Sequence, residues 1–265
     1  MAKGRNKNTD LLLQEWDKLK KEWFYVYNWN SLPRKGYSEE VAGLLLDKFS
    51  EVSLGHEGLR KNNFRLASHH GQCQLATDIS QHVEKRFCRA LFNLKELPYF
   101  GTVLDYEVPF KEKGESKHGD IDLLALKNDE LFIIEAKKIG SSESILKAVL
   151  EAYVYSSLVN IAKEQFYVDF GIKSEVRIVP VVLTFSNSTS GQQLLEIENY
   201  QNIKALIAKI NESLVASGIE KLRFYIITNS DQEIINSLET MPFNDKCKLI
   251  VFKAGFDLKM QEKII

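Results

Sequence analysis

Residues 118–138 constrain the fold of this chain more than any other stretch, because they indicate two strands joined by a tight turn. Residues 119–127 alternate polar with apolar side chains before becoming apolar, and residues 131–136, Leu-Phe-Ile-Ile-Glu-Ala, favour extended structure. Between them, Asn128-Asp129 tolerates the positive φ of a hairpin turn. We therefore predict an antiparallel hairpin here.

A loop centred on these turn residues sets the register of the hairpin. It places Asp122 opposite Glu135. On the same face, Asp120 lies opposite Lys137. A slip of one residue would mix the charged and apolar faces, so the pattern itself supports the register. The other face carries only apolar pairs, namely Ile121–Ala136, Leu123–Ile134 and Ala125–Phe132.

The charged face brings two carboxylates together. Directly opposite side chains have Cβ atoms about 4.5–5.5 Å apart, and like charges at that distance are destabilising unless one is protonated or a cation lies between them. Carboxylate oxygens suit Mg²⁺, Mn²⁺ or Ca²⁺. Lys137 shares the face of Glu135, and a lysine beside a metal suits an anionic transition state. The alternative is a solvated sheet face with alternating charges, which the opposed pair Asp122 and Glu135 disfavours.

The pattern Gly119-x-Ile-Asp122-Leu-Leu and then Ile-Ile-Glu135-Ala-Lys137, with twelve residues between the two acids, resembles the PD-(D/E)XK nuclease superfamily. The resemblance implies that Asp122 and Glu135 bind the catalytic metal, Mg²⁺ or Mn²⁺. It implies that Lys137 positions or activates the attacking water, and that the Ala136 carbonyl adds a metal ligand.

The chain departs from the name-giving pattern in one place, because Ile121 stands where that pattern has proline. Residues 75–190 fit the family's order of elements. In the family, an acid from the helix before the first core strand often completes the metal site. Residues 78–97 predict that helix, with apolar residues at helical spacing, and Glu84 is the best placed acid. The alternative for Glu84 is a surface glutamate beside Lys85.

The remaining core elements follow from their patterns. Residues 102–110 predict a strand with Asp105 and Glu107 on the face opposite its apolar residues, which are Leu104, Tyr106, Val108 and Phe110. Residues 143–165 predict a helix, and residues 176–185 a strand buried on both faces, as a parallel central strand would be.

In the family, the helix after the lysine often carries a glutamine near a tyrosine that supports the site. Here Lys147 and Glu151 precede Tyr153, and no glutamine stands there. An ion pair one helical turn apart is the preferred interpretation of Lys147 and Glu151. Glu151 and Asp120 are nevertheless candidates for residues that support the metal ligands.

These elements predict a mixed α/β fold with a restriction-endonuclease-like αβββαβ core. Residues 67–190 would form that core. Residues 1–66 would form an N-terminal helical segment, with helices at 9–23 and 38–49. Residues 191–265 would extend the same sheet, with a helix at 199–216 and strands at 222–228 and 247–253.

Charge and cysteine content set weaker bounds. The formal net charge is −1, which neither favours nor excludes nucleic acid, since a local basic surface suffices. Arg60, Lys61, Arg65 and Lys138 are candidate phosphate contacts, although a solvated charged loop is an equally good interpretation of the first three. The three cysteines are isolated in sequence, and no apolar run reaches membrane-spanning length, which together with the polar N-terminus predicts a cytoplasmic protein.

We therefore expect a metal-dependent nuclease, with DNA as its substrate and a restriction or defence role. One alternative is a non-catalytic nucleic-acid-binding module with the same fold. Another is a partner-docking subunit, with the N-terminal helices as its docking surface. Many enzymes of this class act as dimers, so a homodimer or a partner subunit is also an expectation.

Overall fold

A seven-stranded mixed sheet forms the centre of the computed structural model, which describes residues 37–51, 59–66, 83–110, 119–173, 175–228 and 260–265. The spatial order of the strands equals their order in the chain. The first four strands are antiparallel, the fourth to sixth are parallel, and the last is antiparallel. The strands are β1 (Glu96–Leu97), β2 (Gly101–Pro109), β3 (Asp120–Lys127), β4 (Glu130–Ala136), β5 (Arg177–Phe185), β6 (Arg223–Ile227) and β7 (Met260–Lys263).

Six α-helices lie in the described residues and cover both faces of this sheet. They are α1 (Tyr37–Asp47), α2 (Val83–Leu94), α3 (Ile145–Ile161), α4 (Lys163–Phe170), α5 (Thr189–Leu195) and α6 (Gln201–Ala216). Helix α2 packs on one face, and helices α1, α3 and α6 pack on the other. Two-sided burial confirms the prediction that β5 is a parallel central strand.

The β3–β4 hairpin has the predicted turn and register. Asn128 has a φ of 56°, as its position in the turn requires. The paired residues run from Lys127↔Glu130 to Leu123↔Ile134. The disfavoured alternative of a solvated face does not hold, because helix α3 covers that side of the hairpin as well. The alternation in sequence is therefore between two buried layers.

Strand β2 contains a bulge that the alternating pattern did not predict. Val103 and Asp105 pair with the consecutive residues Ala125 and Leu124, so Leu104 is an extra residue. The bulge buries Asp105 completely, and its Oδ1 accepts a hydrogen bond from the N–H of Tyr106 at 2.8 Å. The predicted single apolar face of this strand is wrong, since Tyr106 lies in one core while Val108 and Phe110 lie in the other. The bulge at Leu104 and the positive φ of 45° at Glu107 both interrupt the alternation.

The helix predicted at 143–165 is two helices. Helices α3 and α4 meet at Ala162 with a bend of 89°, which turns Phe166 and Phe170 toward Phe64 and the core. No single helix of the described ranges is long and apolar enough to cross a membrane. The pair α3 and α4 reaches that length and composition only across its bend.

Some of the helices and strands predicted toward the two ends of the chain are confirmed, and others lie outside the described residues. The structure confirms helix 38–49 as α1, helix 199–216 as α6 and strand 222–228 as β6, whereas α5 and β7 were not predicted. Helix 9–23 and strand 247–253 lie outside the described residues. Glu39 of α1 accepts hydrogen bonds from the first N–H groups of α6, at Asn202 (2.5 Å) and Ile203 (3.1 Å), so these distant segments share one core.

Candidate active site

The predicted site residues meet at one edge of the sheet, where parallel strands β4 and β5 end. Glu135 and Ala136 are the last residues of β4, and Lys137 follows them. The N–H of Lys137 donates to the carbonyl of Leu183 on β5 at 2.8 Å, which holds the lysine against the sheet. The carboxyl ends of parallel strands are where open α/β sheets usually bind ligands.

Asp122 lies where β3 and β4 part. It is one residue beyond the last pair of the two strands, and its Oδ2 accepts a hydrogen bond from the N–H of Ala136 at 2.8 Å. The Asp122 side chain thus accepts the kind of hydrogen bond that a backbone carbonyl accepts elsewhere between β3 and β4. This bond fixes the Asp122 carboxylate beside Glu135.

Glu135 is buried among negative charges. Its exposure is 3%, and burial raises the pKa of its carboxyl well above the ordinary value. The charges of Asp122 and Glu151 raise that pKa further, and the nearby lysine does not offset them. A cation at this point would relieve the repulsion.

Lys137 is buried to the same degree and is surrounded by three carboxylates. Its exposure is 1%, and its Nζ lies 2.5 Å from Oε1 of Glu135. The Oε2 atoms of Glu143 and Glu151 each lie 2.8 Å from the same Nζ. Glu135 and Glu151 accept hydrogen bonds from this ammonium group, whereas Glu143 forms an ion pair with it. The predicted contact between Lys137 and Asp120 stays a prediction.

Two residues of this cluster were not recognised as site residues in the sequence. Nζ of Lys147 contacts Oε1 of Glu143 and lies 3.7 Å from Oε1 of Glu151. Burial alone would raise the pKa of Glu143, but Lys137 and Lys147 hold it below its ordinary value. The signal was present, because Glu143, Lys147 and Glu151 are spaced by four residues and share one helical face.

The structure gives fewer contacts for the remaining predicted site residues, which are Asp120, Lys138 and Glu84. Asp120 begins β3, pairs with Pro109 of β2 and is half-buried. Lys138 is half-buried directly after Lys137. Glu84 belongs to α2, but its side chain lies outside what the structure describes.

A tyrosine two residues beyond the predicted one approaches this edge of the sheet. Tyr153 points away, because its Oη is hydrogen-bonded to Ser213 of α6 at 3.1 Å. Tyr155 stacks on Phe110 with 5.6 Å between ring centroids. A Cβ atom at Gly119 would lie 2.1 Å from Oη of Tyr155, so a larger residue there would displace the tyrosine. Tyr155 therefore lies against the start of β3, one turn of α3 beyond Glu151.

The predicted phosphate-binding loop is anchored near the same edge. The N–H of Arg60 donates to the carbonyl of Phe110 at 2.8 Å, directly after β2. Phe64 is buried, and its N–H donates to Oδ2 of Asp169 at 2.8 Å. Lys61 and Arg65 are exposed between these anchors, while Arg60 is half-buried.

The donor set fits a hard divalent cation that is completed by substrate and water. Within the described ranges, no group of three or more His, Cys, Asp or Glu side chains is arranged to hold a metal. The available oxygens belong to Asp122, Glu135 and the Ala136 carbonyl, and Mg²⁺ commonly takes only one or two carboxylates plus phosphate oxygens. With every group ionised, four carboxylates and two ammonium groups leave two excess negative charges, which such a cation would neutralise.

Comparisons with known proteins found no relative of this chain. No family model, curated protein or solved structure matches the chain. The chemistry of the site is therefore inferred from its own residues and their geometry.

Proposed function

We propose that this protein is a metal-dependent nuclease that hydrolyses phosphodiester bonds, with DNA as the expected substrate. The observation that carries the proposal is the buried Lys137, held 2.5 Å from Glu135 beside a second acid, Asp122, at the edge where the strands end. Burying a charged group costs free energy, so stability alone gives no reason to bury one. A phosphoryl-transfer site uses this combination of acids and cation.

The proposed roles follow from the positions of these groups. Asp122, Glu135 and the Ala136 carbonyl would bind Mg²⁺ or Mn²⁺. The metal, when bound, lowers the pKa of a coordinated water and offsets charge on the phosphate. Lys137 adds a fixed positive charge in a site from which water is largely excluded, where it orients the nucleophile or stabilises the negative charge of the transition state.

The order of elements supports a restriction-endonuclease-like core. Helix α2, strands β2, β3 and β4, helix α3 and strand β5 follow one another as helix, three strands, helix and strand. Strand β1 and helix α4 are additions to that order. The resemblance in the Asp-Glu-Lys pattern and this order of elements are independent of each other, which strengthens the proposal.

Exposed basic groups near the site support a nucleic-acid substrate. Lys61 and Arg65 project from a loop whose backbone is hydrogen-bonded to the residue after β2, and the end of β2 pairs with the start of β3. Lys138 lies beside the catalytic lysine. Such side chains commonly contact phosphates and position a duplex without reading its sequence.

One observation favours a second candidate function, a non-catalytic nucleic-acid-binding or partner-docking module. Three glutamates surround the ammonium group of Lys137, and a purely structural ion-pair cluster has the same appearance. In that case the lysine would hold the loop after β4 in place and never contact a phosphate.

Cleavage assays separate the two candidates. Supercoiled plasmid and labelled single-stranded DNA and RNA would be incubated with Mg²⁺, Mn²⁺ or EDTA. We expect metal-dependent cleavage by the wild type and none by Asp122→Ala or Lys137→Ala. Lys209→Ala, which removes an exposed lysine paired with Glu212, is the control. No cleavage of any substrate, together with no Mn²⁺ binding that depends on Asp122, would favour the binding module.

A further inference from the structure

We propose that Glu143 is a positioning residue for the reaction: with Glu151, it keeps the ammonium group of Lys137 in the site when Glu135 turns to a divalent cation. The inference rests on the proposed metal-dependent activity. It gives that activity a residue outside the Asp-Glu-Lys pattern, and it follows from two competing uses of the Glu135 carboxylate.

Lys137 and a bound cation compete for Glu135. Nζ of Lys137 lies 2.5 Å from Oε1 of Glu135, and the same carboxylate is a proposed metal ligand. A divalent cation and an ammonium group at one carboxylate repel each other strongly in a buried site. A cation bound by Glu135 would therefore weaken its contact with Lys137, and the lysine would need other negative groups to remain buried.

Glu143 and Glu151 supply those negative groups from a different part of the chain. Each places an Oε2 atom 2.8 Å from Nζ of Lys137. Because Glu151 accepts a hydrogen bond from Nζ and Glu143 forms an ion pair with it, the ammonium group would stay in place if Glu135 turned away. The N–H that Glu135 accepts in this structure would then be available to a reacting phosphate.

Glu143 is held independently of β4. Its N–H donates to Oγ of Ser141 at 3.2 Å, and Ser141 is tied to α5 by a 2.8 Å bond from the N–H of Thr189 to its carbonyl. Lys147 contacts the Glu143 carboxylate from the next turn of α3. These contacts fix Glu143 whether or not Glu135 holds the lysine, so Glu143 can keep its ion pair with Lys137 when Glu135 turns away.

Calorimetric titration of the full chain with Mn²⁺ tests this as a double-mutant cycle of wild type, Glu143→Ala, Lys137→Gln and the double variant. In the wild-type background, Glu143→Ala removes one of the two glutamates that hold Lys137 besides Glu135, so the lysine competes more strongly with a cation for Glu135. We therefore expect Mn²⁺ to bind about tenfold more weakly, which is within the coupling range of contacting residues. In the Lys137→Gln background, where no lysine competes for Glu135, we expect a loss of about twofold or less.

Two further variants and a control complete the design. Glu143→Gln keeps an acceptor oxygen for Lys137, so it should bind Mn²⁺ more tightly than Glu143→Ala, and it replaces that variant in the cycle if Glu143→Ala fails to fold. Lys137→Gln alone should bind Mn²⁺ more tightly than the wild type, because a competing positive charge is gone. Glu212→Ala removes an exposed glutamate that is paired with Lys209, and it should leave Mn²⁺ binding unchanged.

The outcomes are distinct. An equal loss of Mn²⁺ affinity from Glu143→Ala in both backgrounds would overturn the positioning role, since Glu143 would then act through its own charge or through folding. Absence of Mn²⁺ binding by the wild type would overturn the proposed function and this inference together. A loss confined to the background that contains Lys137 would support the positioning role.

Discussion

The two ends of the β3–β4 hairpin both carry charged clusters, but they differ in exposure. At the turn, Arg177 contacts Asp129 at 3.1 Å and Glu220 at 3.3 Å, with side chains 49%, 62% and 38% exposed. At the opposite end, Lys137 makes closer contacts with glutamates and is 1% exposed. Exposed ion pairs contribute little to stability, and buried ones often cost it. The buried cluster is therefore explained better by function than by stability.

The largest effect is expected from removing the buried lysine. Lys137→Met keeps the length and apolar stem of the side chain but removes its charge, so we expect cleavage to fall by about 100- to 1,000-fold, as when other charge-stabilising donors are removed. Initial rates on labelled DNA at saturating Mg²⁺ measure this loss. Lys127→Met, at the turn end of the same hairpin, removes a lysine whose Nζ donates to the carbonyl of Pro98 at 2.8 Å. Equal losses in both variants would remove the distinction between the two ends.

The next effect concerns stability and has the opposite sign. Glu135→Gln keeps the shape of the side chain but removes a buried negative charge that lies near Asp122 and Glu151. Removing one partner of a buried ion pair usually destabilises a protein, but Lys137 keeps Glu143 and Glu151 here, so we expect a gain of about 1 kcal/mol at pH 8. Denaturant unfolding measures the gain, and cleavage should be lost in the same variant. Glu130→Gln is the control at the turn end, where it removes a contact with Arg223 and should lower stability.

The gain from Glu135→Gln should depend on pH. Burial and the neighbouring carboxylates raise the pKa of Glu135 in the folded protein above the value of 4.5 for an unperturbed glutamate. The folded state therefore binds a proton more tightly than the unfolded state, and wild-type stability falls as pH rises from 4.5 through the raised pKa. The difference between Glu135→Gln and wild type should be small at pH 4.5 and grow with pH. A difference that does not change with pH would contradict a raised pKa.

Local sequence signals were sufficient to predict the hairpin and its like-charge pair. The turn chemistry of Asn128-Asp129 and strict alternation fix which residues lie opposite one another, and both are properties of adjacent residues. The Glu143 contact could not be read in this way. Its carboxylate reaches Lys137 only because α3 packs against β4, which no spacing along the chain specifies.

Tertiary packing also explains the elements that the sequence did not predict correctly. The helix break at Ala162 has no proline or glycine to mark it, and it exists because Phe166 and Phe170 turn into the core. Tyr106 and Val108 likewise lie in different cores although their spacing predicts one face, because Glu107 between them has a positive φ of 45°. Periodicity describes one element at a time and therefore misses contacts between elements.

A smaller effect on cleavage is expected from replacing the glycines that lie near the two ends of the β3–β4 hairpin. Added Cβ atoms would lie 2.1 Å from Oη of Tyr155 at Gly119 and 2.6 Å from the carbonyl oxygen of Leu126 at Gly101. Both Gly→Ala changes should cost about 1–3 kcal/mol of unfolding free energy through overpacking, and at Gly101 the positive φ of 69° adds backbone strain. Only Gly119→Ala should also slow cleavage, because it displaces Tyr155 and the start of β3 beside Asp122. Parallel denaturation and rate measurements test this, and slowed cleavage in Gly101→Ala would show that activity follows stability alone.

The smallest effect is expected from the exposed pair at the turn. Asp129→Asn keeps a residue that suits the turn but removes the charge that contacts Arg177, and water and salt screen this pair. We expect the melting temperature and the cleavage rate to equal those of the wild type within error. The Arg177 guanidinium holds the pKa of Asp129 below 3.8, so any stability that the pair contributes is present near pH 7 and is lost as pH falls through that lowered pKa. Melting curves of both proteins at pH 7 and at low pH measure this. A marked difference at pH 7 would show that exposure does not separate the two clusters, and the functional interpretation of the buried one would lose its main support.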